Sequence, residues 1–165
     1  MAKHRYLVAL GSNQRHPRHG SPRQVLKAAL AALDRGHMTL KAASPIIESA
    51  PLGPSRRRYA NAVALVRTRR DPVEMLDRLQ HIERKFGRRR QGQPWQARVL
   101  DLDVVLWDGG AWAGDGLIVP HPRFRERAFV LTPAARIAGH WRDPITGLSL
   151  CHLAARLTKP RPAPR

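Results

Sequence analysis

The sequence predicts an α+β protein built on a mainly antiparallel sheet with helices on one face. Strand-like and helix-like segments follow one another in the order β-α-β-β-α-β, with a hairpin and further helices after them. Two proline-marked helix starts, Ser21-Pro22 and Asp71-Pro72, separate the strand-like segments. This order of elements is the split βαβ, or ferredoxin-like, arrangement.

The sequence signals that predict the first three strands differ in strength. Residues 5–10 are mostly apolar and run into Gly11-Ser12-Asn13, which is a turn signal. Residues 38–47 form a weaker, Ala-rich candidate. Residues 59–68 alternate and so predict two distinct faces. One face carries Tyr59, Asn61, Val63 and Leu65, and the other carries Ala60, Ala62, Ala64 and Val66.

Both predicted helices begin with a capping sequence, an oxygen-bearing residue followed three positions later by Gln or Glu. The first runs from Ser21 towards a stop at Gly36, and the second runs from Asp71 to Gly87. Apolar residues at helical spacing predict the faces packed on the sheet. These are Leu26, Leu30 and Leu33 in the first helix and Met75, Leu79, Ile82 and Phe86 in the second.

The central strand, within residues 95–106, carries two carboxylates, Asp101 and Asp103. Residues two apart on a strand share a face, with Cα atoms about 6–7 Å apart. Leu100, Leu102, Val104 and Leu106 are predicted to point the other way, into the core. The helices leave the face of Asp101 and Asp103 to ligand and loops.

Two adjacent carboxylates repel each other and are costly to desolvate, and a divalent cation such as Mg²⁺ relieves both costs. The alternative is an exposed sheet face that carries two Asp by chance. Arginines flank the pair, in the basic loop 88–94 and at Arg98, and His121 and Arg127 follow it. Carboxylates that hold a metal, with Arg nearby, suit a polyphosphate.

The remainder of the chain predicts a hairpin and short helices. Asp108-Gly109-Gly110 is a turn, residues 111–119 return as a weaker strand, and Pro120-His121-Pro122 ends it. Residues 123–157 contain two helical segments, one that starts near Phe129 and one at 148–157. The Pro/Arg-rich tail, 158–165, is expected to be disordered.

Composition excludes several classes of protein. No apolar run among the 165 residues approaches the length that spans a bilayer, no signal peptide is evident, and a single cysteine, Cys151, suits a reducing cytoplasm. The chain contains no Walker-type loop, no dinucleotide-binding fingerprint and no zinc-ligand spacing.

The formal charge of the chain is +18, with 25 Arg and five Lys. It reflects either phosphate-bearing partners or a compositional bias towards Arg.

Several residues allow two interpretations. His121, between two prolines, is either a phosphate donor or a loop histidine. Trp95 either packs the basic loop or stacks on a ligand. Tyr59 and Phe129 either flank a flat heterocycle or belong to the core. Asn61 is unusual in a strand and is either a ligand contact or a satisfied strand-end amide.

Taken together, these motifs resemble the 6-hydroxymethyl-7,8-dihydropterin pyrophosphokinases of folate biosynthesis, over residues 6–135. The resemblance rests on nine segments, and Arg-x-Leu-Asp-Leu-Asp followed by Pro-His is the most specific of them. The segments are Ala9–Asn13, Pro51–Pro54, Tyr59–Val63, Gln80–Glu83, Gly87–Arg90, Trp95–Arg98, Leu100–Asp103, Val119–Pro122 and Arg127–Phe129.

The resemblance implies a ferredoxin-like fold in one domain, 1–157, and transfer of diphosphate from ATP to the pterin hydroxymethyl group, with release of AMP. Asp101 and Asp103 would hold two Mg²⁺ and, with Arg88 and Arg98, would be catalytic. Residues Gln80, Glu83, Arg88, Arg90, Trp95, Arg98, His121 and Arg127 would bind ATP. Residues Ser49, Pro51, Leu52, Tyr59, Asn61 and Phe129 would bind the pterin. The segment 88–98 would close over ATP and exclude water.

Four departures from the family pattern bear on the site. Gln96-Ala97 replaces Gly-Pro, Pro122 replaces an aromatic residue, Ser49 replaces Thr, and residues 14–20 are longer and more basic. Two other functions remain open. One is a paralogue that binds pterin or nucleotide without transfer, and the other is a basic nucleic-acid-binding domain. The expected enzyme is a cytoplasmic monomer that binds neither membrane nor nucleic acid.

Overall fold

The computed structural model describes residues 2–49, 58–87 and 99–160. The strands of this part of the chain are β1 (His4–Ser12), β2 (Met38–Ala43), β3 (Ile47–Ser49), β4 (Tyr59–Thr68), β5 (Asp101–Trp107), β6 (Trp112–Gly114) and β7 (Leu117–Val119). The helices are α1 (Pro22–Ala32), α2 (Pro72–Lys85), α3 (Ala128–Ala138) and α4 (Leu150–Thr158), with a 3₁₀ turn at Phe124–Glu126.

The main sheet has the order β2-β4-β1-β5, with β3 also paired to β4, and its pairings are antiparallel. Strands β1 and β2 therefore run parallel on either side of β4, and β4 and β5 run parallel on either side of β1. Helices α1 and α2 connect these two parallel pairs and pack on the same face. The predicted antiparallel sheet with helices on one face is thus confirmed, and its two crossovers follow the split βαβ pattern.

Local sequence signals account for the helix starts. Ser21 and Asp71 each accept a hydrogen bond from the backbone N–H three residues on, and Gln24 and Glu74 complete two capping boxes. Helix α1 ends at Ala32, before the predicted stop at Gly36. Gly36 lies instead in the turn that leads into β2, with a φ of 63°.

Two hydrophobic clusters cover the two faces of the sheet. The larger one joins α1 and α2 to the sheet, and it contains the predicted stripe of α2 together with Ala60, Ala62, Ala64 and Val66 of β4. The smaller cluster joins α3 and α4 to the opposite face through residues such as Leu7, Val63, Leu106, Leu131 and Leu150. The C-terminal helices thus cover part of the face that the sequence analysis left to ligand and loops.

Three details of the strand predictions are wrong. The candidate 38–47 is two strands, because Pro45 has no N–H for a ladder and Ser44 bonds Val63 through both its backbone N–H and its hydroxyl. Residues 111–119 do not return as one strand. They form the separate hairpin β6–β7, which turns at Asp115-Gly116, where φ is 54° and 77°.

The third correction concerns Leu106. Strand β5 contains a bulge, since Leu7 pairs with Leu106 whereas the next residue, Val8, pairs with Val104. The extra residue moves Leu106 to the face of the smaller cluster, opposite to the prediction. Leu100, Leu102 and Val104 lie in the larger cluster as predicted.

The C-terminal helices are close to their predicted positions. Helix α4 reaches Thr158, the first residue of the predicted tail, and residues 161–165 lie outside the described part of the chain. No helix in the described residues is both long enough and apolar enough to cross a membrane.

Candidate active site

The site is built on two adjacent rows of residues that cross the sheet. In the first row Gly11 of β1 pairs with Asn61 of β4 on one side and with Asp101 of β5 on the other. In the second row Ala9 pairs with Val63 and with Asp103 in the same way. Directly paired residues share a face of an antiparallel sheet. Asn61, Asp101 and Asp103 therefore lie on one face, which we call the ligand face.

The two carboxylates are half-buried, one on either side of the buried Leu102. The backbone N–H of Leu102 donates to Oε2 of Glu83, at 2.9 Å. Glu83 is itself buried near the end of α2. This bond ties α2 to the segment of β5 that carries the acidic pair, so Glu83 positions that pair. Its predicted contact with ATP stays a prediction.

A divalent cation fits the chemistry of this pair. In the described residues no group of three or more His, Cys, Asp and Glu could hold a metal ion, so Asp101 and Asp103 would be a two-carboxylate site. Mg²⁺ typically binds one or two carboxylates and takes its other ligands from water and substrate phosphates. The donor set thus fits Mg²⁺ that arrives with a polyphosphate, and it does not fit a closed all-protein cage.

Beside β5, the backbone N–H of His121 donates to the carbonyl of Val105, at 3.0 Å, and this bond places the imidazole next to the strand. Burial lowers the pKa of His121, Arg127 lowers it further, and the nearby Asp101 opposes both. The imidazole is therefore neutral at pH 7. Its Nδ1 accepts from the Arg123 N–H at 3.1 Å, which leaves the proton on Nε2. His121 is thus prepared to donate one hydrogen bond to an anion.

We expect His121→Ala to weaken ATP binding about 10-fold, because one hydrogen bond to a charged phosphate is lost. His121→Gln keeps a donor but cannot titrate. Because the pKa of His121 is lowered from its ordinary value of 6.5, the wild-type imidazole gains a proton only as the pH falls below that value. The protonated ring attracts the phosphates more strongly, so the affinity of the wild type for ATP should then rise relative to that of the Gln variant. Titration calorimetry from pH 5 to 8 measures this, with the exposed His140→Ala as control. Parallel pH profiles for wild type and the Gln variant would contradict this role.

Arg127 and Phe129 lie at the start of α3, where Arg127 is the N-cap residue. The Arg127 guanidinium carbon lies 5.7 Å from the centroid of the Phe129 ring. The positive charge of Arg127 helps to lower the pKa of His121, so the guanidinium lies within electrostatic range of the imidazole. A cation packed on an aromatic ring therefore lies at the start of α3, within electrostatic range of the His121 imidazole beside β5.

A buried ion pair holds this segment. Arg125, in the 3₁₀ turn before Arg127, donates from Nε and Nη2 to the two oxygens of Asp143, at 2.6 and 2.8 Å. Asp143 is fully buried and also accepts from the Ile145 N–H and the Thr146 hydroxyl. Burial by itself would raise the pKa of Asp143, but these hydrogen bonds lower it to about 2. The sequence analysis missed this pair, because the partners are 18 positions apart and no local pattern joins them.

Asp143→Asn should lower the free energy of unfolding at pH 7 by about 3 kcal/mol, because the Arg125 charge loses its partner. The wild-type carboxylate is ionised more readily in the folded than in the unfolded chain, so its contribution is present above pH 4 and is lost as the pH falls towards 2. Denaturant unfolding from pH 2 to 7 should show the two proteins converging at low pH. The exposed Asp115→Asn is the control. A constant gap across this range would contradict the assignment.

The other predicted site residues fall into two groups. Tyr59 is half-buried, with Cδ1 close above Gly11 at the start of β4, and Gln80 is half-buried one turn before Glu83. The remaining ones lie outside the described residues, namely Pro51, Leu52, Arg88, Arg90, Trp95, Arg98 and the side chain of Ser49. Gln96-Ala97 also lies there. The basic segment 14–20 is described, and its His19 ring stacks on Phe86, with centroids 4.8 Å apart, just before residue 88.

The fold and the ligand face together define a class, the α+β proteins that place a carboxylate pair beside an amide, aromatic rings and cationic side chains, as enzymes acting on phosphate-bearing substrates do. The family model of 7,8-dihydro-6-hydroxymethylpterin-pyrophosphokinase (HPPK) matches residues 7–139. The chain therefore belongs to the HPPK family.

Individual relatives agree with this assignment. The chain is 42% identical over 142 residues to the 2-amino-4-hydroxy-6-hydroxymethyldihydropteridine pyrophosphokinase of Pseudomonas aeruginosa, covering 85% of this chain and 84% of that protein. It is 38% identical over 133 residues to the enzyme of the same name from Haemophilus influenzae, covering 79% of each. Among solved structures, the Plasmodium falciparum HPPK-DHPS A437G protein matches with a TM-score of 0.72 and 12% identity, over 94% of this chain and 45% of that one. At that identity the last match supports the fold alone.

Proposed function

We propose that this chain transfers diphosphate from ATP to the hydroxymethyl group of 6-hydroxymethyl-7,8-dihydropterin and releases AMP, a step of folate biosynthesis. One observation carries the proposal beyond family membership. Asn61, which suits a pterin edge, and Asp101, which suits metal-bound phosphate, belong to one row across the sheet, with only Gly11 between them. A pterin ring bound at the Asn61 end of that row would place its hydroxymethyl oxygen near a phosphate bound at the Asp101 end.

The pterin would lie flat over β4. Tyr59 and Phe129 would stack on its two faces, and the Asn61 amide would pair with its amide-like edge, which offers both a donor and an acceptor. Ser49, Pro51 and Leu52 would complete this end of the site. A planar heterocycle with a polar rim gains from both kinds of contact, since aromatic rings bury its faces and the amide satisfies its edge.

ATP would lie over β5. When Mg²⁺ is bound, two ions held by Asp101 and Asp103 would neutralise charge on the phosphates. The side chains of Gln80, Glu83, Arg88, Arg90, Trp95, Arg98, His121 and Arg127 would surround the nucleotide. Of these, His121 carries its proton on Nε2 and would donate from there, and Arg127 brings a permanent positive charge within electrostatic range of it.

In the reaction, the hydroxymethyl oxygen would attack the β-phosphorus of ATP in line with the leaving group. A new O–P bond forms, the bond from the β-phosphorus to the oxygen bridging it to the α-phosphorus breaks, and AMP leaves with that electron pair. The hydroxyl proton passes to solvent. Arg88 and Arg98 would stabilise the charge on the phosphate oxygens, and the segment 88–98 would exclude water that could otherwise hydrolyse ATP.

The proposal extends to the setting of the enzyme. We propose a monomer that works in the cytoplasm, where the exposed Cys151 stays reduced. A nucleic-acid-binding role is not favoured, because the two carboxylates on the ligand face would repel a phosphate backbone.

The first test is AMP release from Mg-ATP, with and without 6-hydroxymethyl-7,8-dihydropterin. The expected result is AMP that depends on both pterin and Mg²⁺. If ATP or pterin binds by calorimetry but no AMP appears, the chain is a binding paralogue, and Gln96-Ala97 is the first place to look for the cause. If the chain shows no turnover and no binding, the proposal is refuted, and a role for the basic surface becomes the better explanation.

A further inference from the structure

Gly11 differs from the other glycines in the described part of the chain. Seven of them have a positive φ, a conformation that L side chains rarely adopt, so each has a backbone reason to be glycine. At two more, Gly109 and Gly139, an added Cβ would collide with the Trp107 ring and the Cys151 sulfur. At Gly11 φ is not positive, and a Cβ would lie 3.4 Å from Asn61 Oδ1 and 3.9 Å from Tyr59 Cδ1, which are ordinary contacts.

The fold therefore gives no reason for glycine at position 11. Glycine inside a strand is destabilising, because it loses more backbone entropy on folding and has no side chain to pack. Gly11 lies within β1, paired on both sides, where alanine would be accepted and would stabilise the strand. A strand glycine without a structural cause is typical of a place where a ligand approaches the backbone closely.

The position of Gly11 indicates which part of a ligand passes there. Its missing side chain would point to the ligand face, between Asn61 and Asp101 in the same row. Those flanking residues are two strand spacings apart, about 10 Å between Cα atoms. The backbone of Gly11 is thus the surface between the amide and the carboxylate in this row, and it is bordered by Asn61 Oδ1 and Tyr59 Cδ1.

We propose that Gly11 is a specificity-determining residue, whose bare backbone is the floor over which the 6-hydroxymethyl arm of the pterin passes towards the phosphates. The inference rests on the proposed function and adds a steric filter to it. The ring contacts Asn61, the phosphates lie at Asp101 and Asp103, and the arm that joins them has to cross Gly11. A methyl group at this position would lift the arm and move its oxygen off the line of attack.

Gly11→Ala and Gly11→Val test this in steps of side-chain size. For Gly11→Ala we expect the thermal unfolding midpoint to stay the same or rise. We expect kcat/KM for the pterin to fall on the order of 10- to 100-fold, because small displacements of a reacting atom are costly, and Val to lower it further. The affinity for Mg-ATP, measured by calorimetry without pterin, should be unchanged in the Ala variant. Ala113→Val, an exposed strand position on β6, is the control for enlarging a strand residue away from the site.

Each outcome decides the inference. A stable Gly11→Ala enzyme with wild-type kcat and pterin KM overturns it, and so does a variant that unfolds or loses ATP affinity, since glycine would then have a structural cause. The same measurements on the wild-type protein separate this result from a failure of the proposed function. If the wild type binds pterin without turnover, the same comparison is made on pterin affinity. If it neither turns over nor binds pterin, both the function and the role of Gly11 are refuted.

Discussion

Asp103→Asn is expected to lower pterin-dependent AMP release by on the order of 10³-fold or more. The amide keeps the size of the side chain but removes the negative charge, and the carboxylate is the group that suits Mg²⁺. Because Asp101 and Asp103 lie in adjacent rows on one face, the variant also removes a like-charge repulsion. Its free energy of unfolding without metal is measured in parallel by denaturant titration, so that a loss of activity can be told apart from a loss of fold.

Two measurements complete this experiment. Adding Mg-ATP should raise the thermal unfolding midpoint of the wild type and raise that of Asp103→Asn much less, because binding to the folded state stabilises it. Asp108→Asn is the matched control, since Asp108 follows the other end of β5 and pairs with His4 and Arg5. It should retain full turnover. Turnover in Asp103→Asn within a few-fold of the wild type would refute the role of the acidic pair.

Asn61→Ala should raise the KM for the pterin on the order of 100-fold and leave the KM for ATP nearly unchanged. A site that hydrogen-bonds both a donor and an acceptor of a ligand loses several kcal/mol when its amide is removed. Asn61 is buried in β4, so a part of the cost should appear as a loss of about 1–2 kcal/mol in the free energy of unfolding. Steady-state kinetics well below the unfolding temperature separate the two effects.

The control is Thr39→Ala, which removes an exposed polar side chain from the outer strand β2. Its pterin KM should match that of the wild type. Equal increases in the two KM values for Asn61→Ala would indicate a general distortion of the sheet and not a lost contact with the ring. An unchanged pterin KM would assign Asn61 to the structure of β4 alone.

Local periodicity was sufficient to predict a helix or strand wherever that element depends on its own residues. The alternation in β4, the two capping boxes and the stripe on α2 follow from spacing that a single helix or strand imposes, and all are confirmed. The same logic placed Asp101 and Asp103 on one face. It failed at Leu106, because the bulge in β5 is set by pairing with β1, some 100 positions earlier in the chain.

The sequence by itself therefore determined the class of fold, the order of its main strands and helices and the motifs that identify the family. Only the tertiary structure aligned Asn61, Gly11 and Asp101 in one row, joined Glu83 to Leu102 and paired Arg125 with Asp143. The physical reason is register. Which residue of one strand lies opposite which residue of another depends on how all side chains pack together, and no short stretch of the chain carries that information.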